Sequence, residues 1–348
     1  MMSIVIPTYN ERENLRELLT RVRSSLGDAD YEVIIVDDSS PDGTADAALE
    51  LSREFPVRLI LRAGRMGLSS AVIDGFRAAR GEILCVMDAD LQHPPELLPE
   101  LYRGASSHDI VIASRYVKGG SVEGWSLLRR IISRGSIVLA KLLIPRVRGI
   151  GDISSGYFAI RRECLRLDDL NPRGFKVLLE LLVKGSYSSV LEIPYRFGLR
   201  RSGRSKLGMR TILSYLLHVL ELSSPFLRFA IVGALGVVVN LLSLWLMRYS
   251  LSLEHEVASL IAIEVSLMNN FLLNDIWTFR RRRRGGFLRS LLSYHLTNSI
   301  GLMTQFTVSS AAHRLLGLES VLSQSIGILL GFIANYSLSR RMVWIHDD

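Results

Sequence analysis

The first 205 residues or so alternate short apolar runs with longer segments in which apolar residues recur at helical spacing. This alternation predicts a parallel or mixed β-sheet covered by α-helices, here a Rossmann-like α/β domain. The predicted strands cover residues 3–6, 32–36, 57–61, 83–87 and 109–113. The predicted helices cover residues 11–25, 44–54 and 69–79, and the last follows Gly67 with Ser69 as its N-terminal cap.

From about residue 226 charged residues become rare, and four apolar stretches follow at about 226–251, 256–279, 287–312 and 321–339. Each approaches the ~20 residues that a helix needs to span a bilayer, which predicts an all-α transmembrane domain of four helices over residues 226–340. Arginines follow the second and fourth stretches, whereas glutamates lie in the other connections. This bias, with an N-terminus that lacks a signal-peptide pattern, predicts that the first domain and both termini are cytoplasmic. In a prokaryote the membrane would be the cell membrane.

Two further segments are predicted to be helical and amphipathic. Residues 125–143 alternate leucines and isoleucines with arginines and a lysine, and residues 209–222 are almost wholly apolar. Both could lie in the headgroup plane of a membrane. In that interpretation the first domain covers residues 1–208, and residues 209–222 form a second interface helix. The alternative is that both are core helices of the first domain, and periodicity alone does not decide between the two.

Composition narrows the classes of function. The chain has 348 residues, 48% of them hydrophobic, and a formal net charge of +8. A basic excess suits nucleic acid, an anionic membrane surface or a phosphorylated substrate. We set nucleic acid aside because the arginines lie near predicted membrane boundaries and phosphate sites, with no recognition motif. Cys85 and Cys164 have neither disulfide nor metal-ligand spacing and are interpreted as core or surface thiols.

A pair of aspartates follows the apolar run at residues 83–87. Asp88-Ala89-Asp90 therefore lies at the carboxyl end of a buried strand, where open α/β sheets bind ligands. Two carboxylates this close repel one another unless a cation lies between them, and oxygen ligands suit Mg²⁺ or Mn²⁺. Gln92 is a candidate third ligand, and diphosphate oxygens could supply the rest. The alternative is a simple turn, since Asp-x-Asp is common by chance.

Two other predicted strands end in polar residues as well. Asp37-Asp38 follows the second strand, and the first strand runs into Pro7-Thr8-Tyr9-Asn10-Glu11. Carboxylates at these points can accept hydrogen bonds from a ribose or a base, and Tyr9 can stack on a base. Each segment alone could be a turn, but the three together favour a nucleotide site.

Five segments, at residues 4–14, 36–44, 67–71, 87–95 and 114–120, carry a family resemblance. The fourth reads Met-Asp-Ala-Asp-Leu-Gln-His-Pro-Pro. Together they resemble the polyprenyl-phosphate mannose synthases, also called dolichol-phosphate mannosyltransferases, which are inverting family-two glycosyltransferases with the GT-A fold. The C-terminal part, with Arg-Phe-Ala-Ile-Val-Gly at 228–233 and Asn-Asp-Ile-Trp-Thr-Phe at 274–279, is similar to a GtrA-type membrane domain.

The resemblance implies a role for each matching residue. The nucleoside would be held by Pro7, Tyr9, Glu11, Val36 and Asp38. Asp88 and Ala89 would lie near the sugar and diphosphate, while the metal, Mg²⁺ or Mn²⁺, would be bound by Asp90 and Gln92. The groups that close over the donor would be Lys176, Arg200 and Lys206. Those that receive the lipid phosphate would be Arg115, Arg129 and Ser133.

The implied activity is transfer of mannose from GDP-mannose to the phosphate of a membrane polyprenol such as dolichyl phosphate, with inversion. A phosphate monoester has a second pKa near ~6, so the nucleophile is largely ionised at neutral pH and no general base is required. Cations are required instead, and Arg115, Arg129 and Arg200 can donate in pairs to phosphate oxygens. The product would serve lipid-linked glycosylation, with a flippase or lipid-sugar-dependent glycosyltransferases as candidate downstream partners.

Two alternatives remain open at this point. A polyprenyl-phosphate glucosyltransferase that uses UDP-glucose would share the strand-end acids and the lipid acceptor, although the string at residues 87–95 favours mannose. A non-catalytic lipid carrier or scaffold would bind the nucleotide without transferring its sugar.

Overall fold

The computed structural model describes residues 1–171, 176–198, 208–280, 282–318 and 320–344. The chain divides into two compact units, Met1–Leu222 and Ser223–Asp348. The first unit is α/β and includes both amphipathic segments, and the second is helical. The boundary lies close to the point where charged residues become rare.

A seven-stranded sheet forms the centre of the first unit as far as it is described, in the order β3-β2-β1-β4-β7-β5-β8. Strand β7 runs antiparallel to β4 and β5, and the other neighbouring strands are parallel. The strands of this sheet are β1 Met2–Thr8, β2 Tyr31–Asp37, β3 Val57–Leu61, β4 Ile83–Val86, β5 Ile110–Ser114, β7 Phe158–Arg161 and β8 Val190–Pro194. A separate pair consists of β6 Ser121–Val122 and β9 Arg196–Phe197.

The helices of the first unit cover both faces of the sheet. They are α1 Arg12–Leu26, α2 Thr44–Leu51, α3 Leu68–Ala78, α4 Leu98–Gly104, α5 Leu127–Leu143, α6 Val177–Lys184 and α7 Met209–Leu222. Successive strand side chains point to opposite faces, so Val5 belongs to one hydrophobic core while Ile4 and Ile6 belong to the other. Helices α3, α5, α6 and α7 contribute to the first core, and α1, α2 and α4 to the second.

The predicted strands agree with the structure to within one or two residues, because alternating apolar residues mark both faces of a covered sheet. The prediction that Ser69 caps α3 is wrong. Gly67 occupies the capping position with φ 98°, and no side chain caps this helix. Ser69 lies within the helix, buried against the core. Both Cys85 and Cys164 are buried and free.

The second unit contains four long helices among its described residues. They are α8 Pro225–Trp245, α9 His255–Leu273, α10 Phe287–Leu316 and α11 Ser320–Met342, with π-helical turns at Leu246–Ser250 and Asn274–Thr278. Helix α8 packs along α9, and α10 packs along α11. Of the helices described, Pro225–Trp245 alone is long and apolar enough to cross a membrane by length and composition. The four predicted spans therefore stay a prediction.

Polar contacts join the helices of the second unit. Asp275 is buried and accepts a bidentate ion pair from Arg283, at 2.7 and 2.6 Å. The indole Nε1 of Trp344 also donates to Asp275, at 3.3 Å, and the same ring stacks on Phe279 with centroids 4.3 Å apart. These contacts tie the last described residue of the chain to the end of α9.

We predict that Gly75→Ala destabilises the first unit, because α3 lies unusually close to β1. A Cβ at Gly75 would lie 3.0 Å from Cγ2 of Val5 and closer still to Cγ1. Overpacking of this kind costs about 1–3 kcal/mol, more than the helix gains from alanine. The melting temperature of the detergent-solubilised chain, followed by circular dichroism, should fall. Gly149→Ala, whose Cβ would have no neighbour within 4 Å, is the control. Equal melting temperatures for the two variants would contradict the prediction.

Candidate active site

The ends of β1, β2 and β4 lie side by side in the sheet, and the loops that follow them are turned sharply. Each loop holds a residue other than glycine in the left-handed region: Asn10 with φ 62°, Ser39 with φ 53° and Leu91 with φ 61°. Such residues are uncommon and cluster at functional sites. The three polar segments identified in the sequence therefore meet at one edge of the sheet.

The two aspartates at the end of β2 have different partners. Asp37 holds its own turn, since its Oδ2 accepts from the Ser40 N–H at 2.8 Å and its Oδ1 accepts from the Thr8 hydroxyl at 2.9 Å. Asp38 forms a buried ion pair with Arg62 Nη1 at 2.6 Å. Its other oxygen accepts from the backbone N–H groups of residues 66 and 67, at 3.1 and 3.0 Å. In this structure Asp38 holds the loop before α3, and its expected contact with a nucleoside stays a prediction.

The remaining nucleoside candidates surround the same edge. Pro7 pairs with Val36 in the register of β1 and β2, and Val36 is fully buried in this structure. Glu11 accepts from the side-chain amide of Asn14 at 2.7 Å. The Arg65 guanidinium lies 4.5 Å from the ring centroid of Tyr9.

The acidic segment after β4 is buried and tied to a neighbouring segment. Asp90 and Gln92 are 6% and 8% exposed, and the Gln92 N–H donates to Asp90 Oδ1 at 3.2 Å. The side-chain amide of Gln92 donates to the carbonyl of Gly198 at 2.8 Å, and the Gly198 N–H donates back to the carbonyl of Gln92 at 3.3 Å. Ala89 packs in the core, and Asp88 is half-buried.

A divalent metal would fit this donor set only with help from the substrate. Within the described ranges, no group of three or more His, Cys, Asp or Glu side chains is placed to hold a metal. The carboxylate of Asp90 and the amide of Gln92 offer oxygen atoms of the kind that Mg²⁺ and Mn²⁺ prefer. Because Mg²⁺ is commonly held by one or two carboxylates plus substrate phosphates, an incomplete protein site suits a metal that arrives with a diphosphate.

His93 is neutral and fixed beside Asp88. Its Nδ1 accepts from the Asp88 N–H at 2.9 Å, so the ring proton lies on Nε2, which is 3.7 Å from Asp88 Oδ2. The ring stacks on Tyr157 at 5.0 Å, and burial lowers the pKa of His93 to about 4. A Cβ at Gly156 would lie 3.2 Å from this ring, which explains the glycine there. His93 therefore positions the acidic segment and is poorly suited to act as a general base near neutral pH.

Arg115, predicted to receive the lipid phosphate, is buried and paired with Asp152. Its Nε and Nη2 donate to the two oxygens of that carboxylate at 2.8 and 2.9 Å, and Nη2 also donates to Ser154 at 3.2 Å. Burial opposes both charges, yet each partner favours the ionised form of the other, so the pKa of Arg115 is raised and that of Asp152 is lowered. The third guanidinium nitrogen, Nη1, has no hydrogen bond to a described residue and remains available for a ligand.

Lys176 lies next to this pair and donates to the carbonyl of Ser154 at 3.3 Å. Burial and, to a smaller extent, the charge of Arg115 lower the pKa of Lys176, Asp152 opposes the shift, and the resulting pKa is about 7. This lysine thus changes its charge close to neutral pH.

A cavity of about 420 Å³ connects these groups with the two amphipathic helices. Its polar lining includes Asp88, Gln92, His93, Arg115, Lys176, Arg129 and Ser133. Its apolar lining comes mainly from α5 and α7 and includes Ile132, Leu139, Ile212 and Leu216. The Ser133 hydroxyl is hydrogen-bonded to the Tyr116 hydroxyl at 2.7 Å. Arg200 and Lys206 lie outside the described residues.

Helices α5 and α7 each bury one face in the core and expose another that is apolar. Ile137 and Ala140 of α5 are buried, as are Tyr215 and Val219 of α7. The exposed apolar residues, all more than half exposed, are Leu127, Leu128, Ile131, Val138, Leu142, Leu213 and Leu217. The two helices thus share features of both interpretations made from the sequence, since they are packed on the α/β core and present an apolar outer surface.

Comparison with known proteins agrees with this architecture. Residues 3–167 match Glycosyl transferase family 2, and residues 228–344 match the GtrA/DPMS transmembrane domain. The dolichol-phosphate mannosyltransferase of Pyrococcus furiosus is 45% identical over 99% of both chains. That of Mycosarcoma maydis is 40% identical over 71% of this chain and 87% of its own. A solved structure, glucosyl-3-phosphoglycerate synthase of Mycobacterium tuberculosis with Mn²⁺ and UDP-glucose, covers 63% of this chain and 79% of its own at 22% identity and a TM-score of 0.49. A likeness that weak carries no argument about chemistry.

The fold and the two matching domains define a family-2 glycosyltransferase with a transmembrane domain. More particularly, the chain belongs to the dolichol-phosphate mannosyltransferase family. The predicted resemblance, fold class and enzyme class are confirmed, and the chain is a membrane protein. The site residues and the membrane topology stay predictions.

Several residues of the site were not identified from the sequence. Asp152, the partner of Arg115, is 37 positions away from it. From the sequence, His93 could be a loop residue as well as a base, and Trp125, Tyr157 and Phe197 show no functional pattern. Their aromatic rings surround Arg115 and His93, an arrangement that a single sequence does not reveal.

We predict that Asp152→Ala is more destabilising than the double replacement Arg115→Met/Asp152→Leu. The single change leaves a buried guanidinium without its counter-ion, which costs about 3–5 kcal/mol, whereas replacing both charges by apolar groups is often neutral. Thermal unfolding measures the stabilities, and a sugar-transfer assay should find both variants impaired. Equal stability of the single and double variants would show that the pair is not the main support of this region.

Proposed function

We propose that this enzyme transfers mannose from GDP-mannose to the phosphate of a membrane polyprenol, with inversion, to give a polyprenyl-phosphate β-mannose. The observation that carries the proposal is the cavity that joins the acidic strand end at Asp88 and Gln92 to a wall of arginines and to the apolar side chains of α5 and α7. A sugar nucleotide fits the first part, and a lipid phosphate fits the second. The names of the relatives agree with mannose as the transferred sugar and with dolichol phosphate as the acceptor.

The chemistry requires cations and does not require a protein base. The acceptor phosphate is largely ionised at pH 7 and can attack the anomeric carbon directly. Arg115 offers Nη1, and Arg129 lines the same cavity, so the acceptor can be held between planar donors. Asp90 and Gln92 would hold Mg²⁺ or Mn²⁺, which would neutralise the departing diphosphate. Pro7, Tyr9, Glu11, Val36 and Asp38 would hold the nucleoside, and Lys176, Arg200 and Lys206 would lie over the donor.

The proposed acceptor explains the apolar outer surfaces of α5 and α7. Side chains such as Leu128 and Val138 are exposed on the same helix that bears Arg129, as in helices that lie in a membrane interface. We propose that α5 and α7 contact the headgroup layer and that the lipid reaches the cavity laterally. The four helices of the second unit would span the bilayer, with both termini cytoplasmic, in the cell membrane if the source is a prokaryote.

The test is a transfer assay with purified full-length protein, one defined polyprenyl phosphate and Mg²⁺ or Mn²⁺. We expect mannose transfer from GDP-mannose, little transfer from UDP-glucose, and none by Asp90→Ala, because that change removes the proposed carboxylate ligand. Asp46→Ala, an exposed residue of α2, is the control. Preference for UDP-glucose would overturn GDP-mannose as the proposed donor. Failure of the folded wild type to transfer either sugar would favour a non-catalytic carrier. Full activity of Asp90→Ala would refute the role of Asp90 as a metal ligand.

We also predict that binding of GDP-mannose takes up a proton at pH 8 and little at pH 6. Lys176 has a pKa of about 7 in the free protein, so it is mostly neutral at pH 8 and mostly charged at pH 6. A diphosphate favours the charged lysine and raises its pKa, while the doubly esterified diphosphate of the donor does not itself titrate in this range. Donor affinity should therefore weaken as the pH rises above 7.

Titration calorimetry at pH 8 in two buffers of different ionisation enthalpy measures the proton uptake directly. Lys176→Arg keeps the charge but cannot titrate, so its uptake should vanish. Equal uptake by the wild type and Lys176→Arg would assign the proton to another group.

A further inference from the structure

Trp125 lies near both arginines that line the cavity. It precedes α5 by two residues and lines the cavity, and its ring meets the edge of Phe197 with centroids 5.7 Å apart. The Arg129 guanidinium carbon lies 4.0 Å from the centroid of the indole. The guanidinium carbon of Arg115 lies 5.6 Å from the same ring.

Two guanidinium groups close together repel one another until an anion arrives. Arg115 is held by Asp152 in the core, and Arg129 is only partly buried. The negative face of an aromatic ring attracts a cation. Among the aromatic side chains, the indole of tryptophan attracts a cation most strongly. The Arg129 N–H also donates to the capping hydroxyl of Ser126 at 3.3 Å, so the backbone of Arg129 is fixed at the start of α5. The indole then restricts the side chain.

We propose that Trp125 is a positioning residue for the acceptor phosphate, because its ring holds Arg129 beside Arg115 before the lipid binds. This inference rests on the proposed function, since it takes the cavity wall to be the phosphate site. Trp125 acts through Arg129, so its removal weakens recognition of the acceptor and leaves recognition of the sugar nucleotide intact.

The test replaces Trp125 in the full-length chain with tryptophans that carry one to four ring fluorines. Fluorination weakens the attraction of the ring for a cation and hardly changes its shape. We expect the KM for a defined polyprenyl phosphate to rise stepwise with fluorine number, by about three- to tenfold over the series. The Kd for GDP-mannose should stay constant. A residue with a purely structural role would give a flat series.

Two controls test whether the change in KM arises from the contact between Trp125 and Arg129. The same analogues at Trp245, an exposed residue of α8, should leave the KM unchanged. In an Arg129→Ala background the KM should no longer depend on the number of fluorines at Trp125, as expected when the two residues act as one unit. A flat series in an enzyme that transfers mannose normally, a slope that persists without Arg129, or a parallel loss of GDP-mannose affinity would each overturn the inference.

Binding of the polyprenyl phosphate is measured separately from turnover. If the folded chain binds this lipid with the expected fluorine dependence but does not transfer mannose, the proposed reaction fails while the role of Trp125 stands. If the chain transfers mannose and lipid binding is independent of fluorination, the proposed reaction stands and the role of Trp125 fails.

Discussion

The buried pair of Arg115 and Asp152 organises one wall of the cavity. Arg115 follows β5 and Asp152 precedes β7, so their contact joins the two strands that run in opposite directions in the sheet. Both charges are held in a site from which water is largely excluded, and each is stable there because the other is present. The aromatic rings of Trp125 and Phe197 pack around the guanidinium, and Lys176 lies beside it. Loss of the pair would therefore disturb the whole wall.

The strands and the polar residues at their carboxyl ends could be predicted from the sequence because their signals are local. An apolar run of alternating faces followed by acidic residues places Asp38 and Asp90 at strand ends, and the parallel order β2-β1-β4 brings those ends together. The sequence pattern does not show which groups these carboxylates contact. Asp38 is expected to face a nucleoside, and its contacts with Arg62 and with backbone N–H groups could not be predicted. Strand order alone does not determine which neighbouring group a carboxylate contacts.

The rest of the site depends on long-range packing. Strand β7 enters the sheet between β4 and β5 in the opposite direction, and neither its position nor the resulting contact of Asp152 with Arg115 follows from periodicity. The environment of His93 also depends on this packing, since Tyr157 belongs to the segment that leads into β7. For α5 and α7, periodicity left open whether the apolar side faces protein or lipid. Each helix packs one apolar side on the protein core and exposes another apolar side. The two interpretations therefore do not exclude one another.

The contact between Trp344 and Asp275 has a consequence for biosynthesis. Trp344 follows the last helix, yet it completes an aromatic cluster with Phe279 and Phe271 and shares a buried carboxylate with Arg283. The helical unit therefore cannot reach this packing until Trp344 has been synthesised and has joined the cluster. A chain that stops before Trp344 would leave Asp275 without its indole donor and Phe279 without its stacking partner.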